Sequence, residues 1–119
     1  MSIILASLLA AQASMPLEER SDLVPLPVAQ QTALRCSVAI AVAAEQQRAG
    51  TAANDSWPEL TERGREFFVR SMAQLMDDTG MTREQLALYA RPEVEALKDP
   101  QRLEQVMPAC LLMLEASGL

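Results

Sequence analysis

The chain reads as an all-α protein, a small bundle of about four to five helices with one disulfide joining the first and last. Three observations predict it. Apolar residues make up 50% of the sequence, yet it holds only four aromatics, Trp57, Phe67, Phe68 and Tyr89. A core built from Ala, Leu, Val and Met, with few β-branched runs, favours packed helices over a sheet. Helix start and stop signals recur along the second half of the chain. Two segments are apolar on nearly every face, and each carries one of the only two cysteines, Cys36 and Cys110.

Residues 1–13 are expected to be a secretory signal peptide. Ile3 to Ala11 is an apolar run, and Ala11-Gln12-Ala13 supplies the small-x-small pattern of a cleavage site. The run follows only Met1-Ser2 and has no basic residue before it. It is short of the roughly 20 apolar residues that a membrane span needs, so no stable anchor is expected after cleavage. Residues 14–26 form a polar, proline-bearing lead-in expected to be irregular, and residues 27–119 a single helical domain.

Proline suits the first helical position, so the first helix is expected to start at Pro27 or Val28 and to run to about Ala49, with Gly50 as its cap. Its middle, Cys36 to Ala44, is apolar all round, as a central helix must be. The second helix is expected from Ser56, where Ser56 and Glu59 match a capping box with Pro58 in the first turn. Trp57, Leu60, Gly64, Phe67, Phe68, Ser71, Met72 and Leu75 then fall on one stripe at helical spacing. Glu59–Arg63 and Glu66–Arg70 stand in the favourable i,i+4 order opposite it.

Gly80 is expected to stop that helix, and Thr82 with Gln85 forms a second capping box opening a third over about 83–90. Pro92 disfavours helical geometry at Arg91, which predicts a break there and a short helix over 93–98. Asp99-Pro100 then opens the last helix, with Pro108 expected to kink or divide it. Beyond Pro108, the run from Ala109 to Leu114 is the second all-round apolar segment. The simplest architecture packs the first helix on the last, staples them through Cys36–Cys110, and wraps the amphipathic helices around that pair.

Charge and composition exclude several function classes. The formal net charge of −6 opposes binding to nucleic acid or anionic lipid, both of which attract basic patches. The chain has no histidine, which removes the commonest general base and the Ser-His and Cys-His nucleophile arrangements. Lys98 is the one lysine, and it sits in a capping sequence rather than beside a candidate nucleophile. The cysteines have no C-x-x-C spacing, and two thiols alone rarely complete a tetrahedral metal site. In an oxidising compartment two cysteines allow one intramolecular pairing. No catalytic residue, cofactor or metal is therefore expected.

The remaining candidates are surface features. Asp77 and Asp78 lie at a helix C-terminus, where the helix dipole prefers cations, and that local conflict marks them as interaction residues. The acidic pairs Asp77/Asp78 and Glu93/Glu95 otherwise read as solvated faces. Arg63, Arg65 and Arg70 have carboxylate neighbours on the same helix, so surface pairing accounts for them better than an anion site. Phe67, Phe68, Met72 and Met76 read as core, although methionine also suits an adaptable interface. These features add up to an exported, non-enzymatic protein-binding or structural module, periplasmic or secreted, whose partner is another protein. Two alternatives share that outline: an inhibitor or immunity protein acting on a basic enzyme, and an acid-stress chaperone-like protein.

Overall fold

The computed structural model describes residues 23–119, so the expected signal peptide and most of the lead-in lie outside the described residues. Four helices are present: α1 (Val28–Ala49), α2 (Arg63–Thr79), α3 (Arg83–Leu97) and α4 (Pro100–Ala116). No strand occurs among the described residues. The all-α bundle is as the composition indicates, with the Cys36–Cys110 disulfide joining its first and last helices.

The apolar middle of α1 makes it the hub of the bundle. Leu34, Cys36, Val38, Ala39, Ile40, Ala43 and Ala44 are all buried, a spread of directions that one packing partner cannot cover. Helices α2, α3 and α4 each pack on α1, and α3 also touches α4. Helix α4 contributes Leu103, Met107, Cys110 and Leu114, a single stripe at i, i+4, i+7, i+11, which gives it one buried face. Between Cys36 and Cys110 the Cα atoms stand 4.9 Å apart, within the range a disulfide bridges. Ser37 is fully buried beside Cys36, and its hydroxyl donates to the Ala33 carbonyl at 2.6 Å, leaving no orphan donor there.

Most of the helix ends follow the sequence signals. At the end of α1, Gly50 takes φ 76° and its N–H donates back into the last turn, and Gly80 takes φ 71° at the end of α2. Thr82 and Gln85 form the reciprocal capping box of α3: the Gln85 N–H donates to Thr82 Oγ1 at 3.1 Å and the Thr82 N–H donates to Gln85 Oε1 at 2.9 Å. Asp99 caps α4 by accepting from the Gln101 N–H, with Pro100 at the first helical position.

The structure departs from the sequence expectations at several points. The Ser56–Glu59 capping box does not form, and α2 begins at Arg63 instead. Asn54 takes the role that Ser56 was to play in reverse: its Oδ1 accepts from both the Ser56 N–H (2.8 Å) and hydroxyl (2.6 Å). Glu59 is turned to the Thr61 N–H and hydroxyl, so neither residue is free to cap. Gln47 of α1 then clamps this loop, donating to the Pro58 carbonyl and accepting from the Leu60 N–H, both at 2.8 Å. That clamp holds Trp57 and Leu60 in the core without a helix around them.

The break at Pro92 and the separate helix over 93–98 are likewise absent, because α3 runs unbroken through Pro92 to Leu97. Tertiary contacts on both sides of the proline override its local cost. Tyr89 donates its hydroxyl to the Val24 carbonyl at 2.5 Å, and Glu93 pairs with Arg35 of α1 at 3.2 Å. Helix α4 is not divided at Pro108 either. The Glu59–Arg63 pair is also not made: Arg63 reaches Glu115 of α4 at 2.7 Å and the Leu119 carbonyl at 3.0 Å, while Arg70–Glu66 forms as spaced.

Candidate functional site

The second helix positions the candidate site. Its buried stripe, Gly64, Phe67 and Leu75, faces α1, so the residues flanking that stripe line the seam between the two helices. Arg70, Gln74 and Asp78 follow at i, i+4, i+8 along one edge, covering about 12 Å of helix at 1.5 Å per residue. Across the seam stand Ala29, Gln30 and Ala33 from the first two turns of α1, and the chain end closes one side with Ser117 and Leu119. The result is an open cleft of ≈ 310 Å³. Phe67 and Leu75 floor it; they are 5% and 2% exposed. Its rim carries the amides of Gln30 and Gln74, the Ser71 hydroxyl, Arg70 and Asp78. A largely apolar floor with a few convergent polar groups is the general form of a binding cleft.

Of the two acids singled out from the sequence, Asp78 lines this cleft and Asp77 does not. Asp78 is held from its own helix, where Gln74 Nε2 donates to Oδ1 at 2.8 Å. That donor is neutral, and among the described residues no ion pair reaches either aspartate. The carbonyl end of α2 adds its partial negative charge at the same place. Arg70, at the other end of the row, is already paired with Glu66 at 3.1 Å.

The remaining candidate groups are dispersed. Glu93 faces Arg35, and Glu95 accepts from Lys98 Nζ at 3.0 Å. No cluster of three or more His, Cys, Asp or Glu side chains that could hold a metal occurs among the described residues. Cys36 and Cys110 are joined to each other in the core, 3% and 1% exposed, as structural rather than reactive sulfurs. Hydrogen bonds from the Thr61 hydroxyl and N–H hold the Glu59 carboxyl below its ordinary value. Arg65 lines a second cleft between α1 and α2 with Arg48, Glu45 and Phe68, and Arg48 is paired there with Glu45. A third cleft, on α3, is lined mainly by Ala87, Leu88, Ala90, Pro92 and Val94.

Sequence reasoning found Asp78 and the apolar stripe but missed Gln30, Gln74 and the chain end. The i,i+4 step from Gln74 to Asp78 was the available signal for the first contact. Nothing local marks Gln30 or Leu119, because both arrive at the cleft through tertiary packing.

The chain matches no protein-family model, no curated protein and no solved structure. What it does must be read from its own geometry.

Proposed function

We propose that the chain is an exported helical module, periplasmic or secreted, that acts by binding another protein and carries out no chemistry of its own. One observation carries this reading: the cross-link between the first and last helices is buried in the core, where the packing is built around it. Structural disulfides of this kind persist in oxidising compartments and are rare where thiols are kept reduced. The apolar run and Ala11-Gln12-Ala13 pattern at the start of the sequence support the same address. No described helix is long and apolar enough to cross a membrane. Protein binding, rather than catalysis, is favoured by the exposed clefts and by paired or dispersed charged groups where an active site would gather them.

The test is the intact mass of the protein expressed from Met1 in a bacterium, followed by cross-linking capture from the cell envelope. Loss of residues 1–13 together with the mass deficit of one intramolecular disulfide is the expected state. One dominant cross-linked protein, captured less when salt is raised before cross-linking, is the expected result. A full-length mass with two free thiols overturns the address, and an envelope that yields no cross-linked partner overturns the binding role.

A further inference from the structure

The described residues begin at Leu23, beside an apolar surface of α3 that no other described element covers. We propose that residues 14–22 fold back across this outer face of α3, with Met15 and Leu17 seated on Leu88 and Val94. The inference goes beyond the protein-binding reading and holds whether or not residues 1–13 are removed.

The cleft on α3 measures ≈ 490 Å³ and is lined by Ala87, Leu88, Ala90, Pro92 and Val94 together with Arg91 and Glu95. Ala87, Leu88, Ala90 and Val94 are only half-buried and Pro92 is exposed. Apolar area therefore remains there to be withdrawn from water.

The place where the described chain starts selects the occupant. Leu23, Pro25 and Leu26 share a neighbouring cleft with Tyr89, Pro92 and Glu93 of α3. The Tyr89 hydroxyl donates to the Val24 carbonyl and Leu26 is buried, so this stretch is fastened to α3. Pro92 lines both clefts, which makes them continuous along the helix. Leu88 lies one turn before Pro92, about 6 Å along the axis. Leu17 precedes Leu23 by six residues, which reach about 20 Å when extended. The segment spans the gap with slack, and its tether presents it to the cleft at a concentration on the order of millimolar. A free partner has no such advantage.

The residues of the segment suit the same placement. Its apolar members, Met15, Pro16 and Leu17, are consecutive, and residues 18–22 between them and Leu23 are all polar or charged. The apolar part can enter the cleft while the polar part crosses its exposed margin. Pro16 has a fixed φ, so less chain freedom is lost on docking. Glu18, Glu19 and Asp22 outnumber Arg20 in the polar part. Glu95 accepts from Lys98, whereas Arg91 makes no ion pair among the described residues. A carboxylate beside Arg91 adds a small, salt-sensitive contribution to a contact that is mainly apolar.

Two measurements on the disulfide-bonded protein expressed from Met1 test the proposal. Methyl NMR is expected to show NOEs from Leu17 to Leu88 and Val94 within one molecule. Trypsin is expected to cut the Arg20–Ser21 bond slowly, because docking holds the chain on both sides of it. Leu17→Ser is expected to speed that cut about tenfold, the range of one leucine's burial. Leu88→Ser is expected to act in the same direction. Leu112→Ser, at a 73% exposed leucine of α4, is expected to leave the rate unchanged.

The proposal is overturned if Leu17 gives no NOE to α3 or gives NOEs to another helix. It is equally overturned if Leu17→Ser does not alter the cut, or if Leu112→Ser matches Leu88→Ser. NOEs found only between differently labelled molecules assign the cleft to a second copy and overturn it too.

Discussion

Gly64 is where α2 comes closest to α1. A Cβ at that position would stand 3.0 Å from Ile40 Cγ2, 3.1 Å from Ala44 Cβ and 3.4 Å from the Ile40 carbonyl oxygen. Two of those neighbours belong to the fully buried Ile40, and none is the loose end of a long side chain. The absence of a side chain is thus what lets the helices approach, and a bulkier residue must push them apart or shift the Ile40 rotamer. Gly64→Val is expected to destabilise the protein by about 1–3 kcal/mol, the usual cost of overpacking a core. Urea unfolding checks it: the midpoint should fall with little change in slope. An unchanged midpoint would mean that the helices separate there at no cost. The stripe on which Gly64 sits was legible from helical periodicity alone. Its role as a contact point was not, since a sequence gives the face of a helix but not the height at which another helix crosses it. Asp78 shows the same division: its oddity at a helix C-terminus was local and visible, whereas Gln30, which lines the same cleft, lies 48 positions away in the chain.

Helix ends separate into those decided locally and those decided by packing. Gly50, Gly80, Thr82–Gln85 and Asp99–Pro100 act through their immediate neighbours, and each ends or starts a helix as its chemistry requires. Ser56–Glu59 has an equally good local pattern and fails. Asn54, Thr61 and Gln47 satisfy the same groups in a loop that lets Trp57 and Leu60 reach the core. Pro92 does not break α3 and Pro108 does not divide α4 for the complementary reason, that the burial of Leu97 and of Cys110 and Leu114 beyond them rewards a continuous helix. Continuity has a cost that remains in the fold. Pro108 cannot donate to the carbonyl four residues before it, and it lies exposed on α4. Pro108→Ala is therefore expected to stabilise the protein by about 1–2 kcal/mol. The gain comes from the restored hydrogen bond and helix propensity, less the added freedom of the unfolded chain. A thermal melt should show a Tm several degrees higher. A lower Tm would show that the ring makes a contact the helix depends on.

At the scale of the whole molecule, α1 is surrounded by three helices and the chain returns to it through α4, so one covalent bond ties the end of the fold to its beginning. The two cysteines are 74 positions apart. Closing a loop of that length removes on the order of 4 kcal/mol of conformational freedom from the unfolded chain in the entropy model. Small domains have total stabilities of about 5–15 kcal/mol, so the bond is a large fraction of what holds this one together. Replacing both sulfurs, Cys36→Ala with Cys110→Ala, is expected to lower the unfolding free energy by about 4 kcal/mol. The slope of the urea transition should rise at the same time, because an unlinked chain exposes more surface when it unfolds. Burial adds a kinetic expectation. With both residues nearly inaccessible, a reductant should cleave the bond only as fast as the protein opens, and low urea should accelerate the cleavage. If the double variant keeps its midpoint, or if reduction in native buffer is as fast as in an unfolded peptide, the staple is incidental. If both expectations hold, the reduced chain is marginal, and the fold with its α1–α2 cleft is secure only where disulfides survive. The redox state of the surroundings then belongs to the mechanism of folding itself, because the bundle is secure only after oxidation has closed the loop.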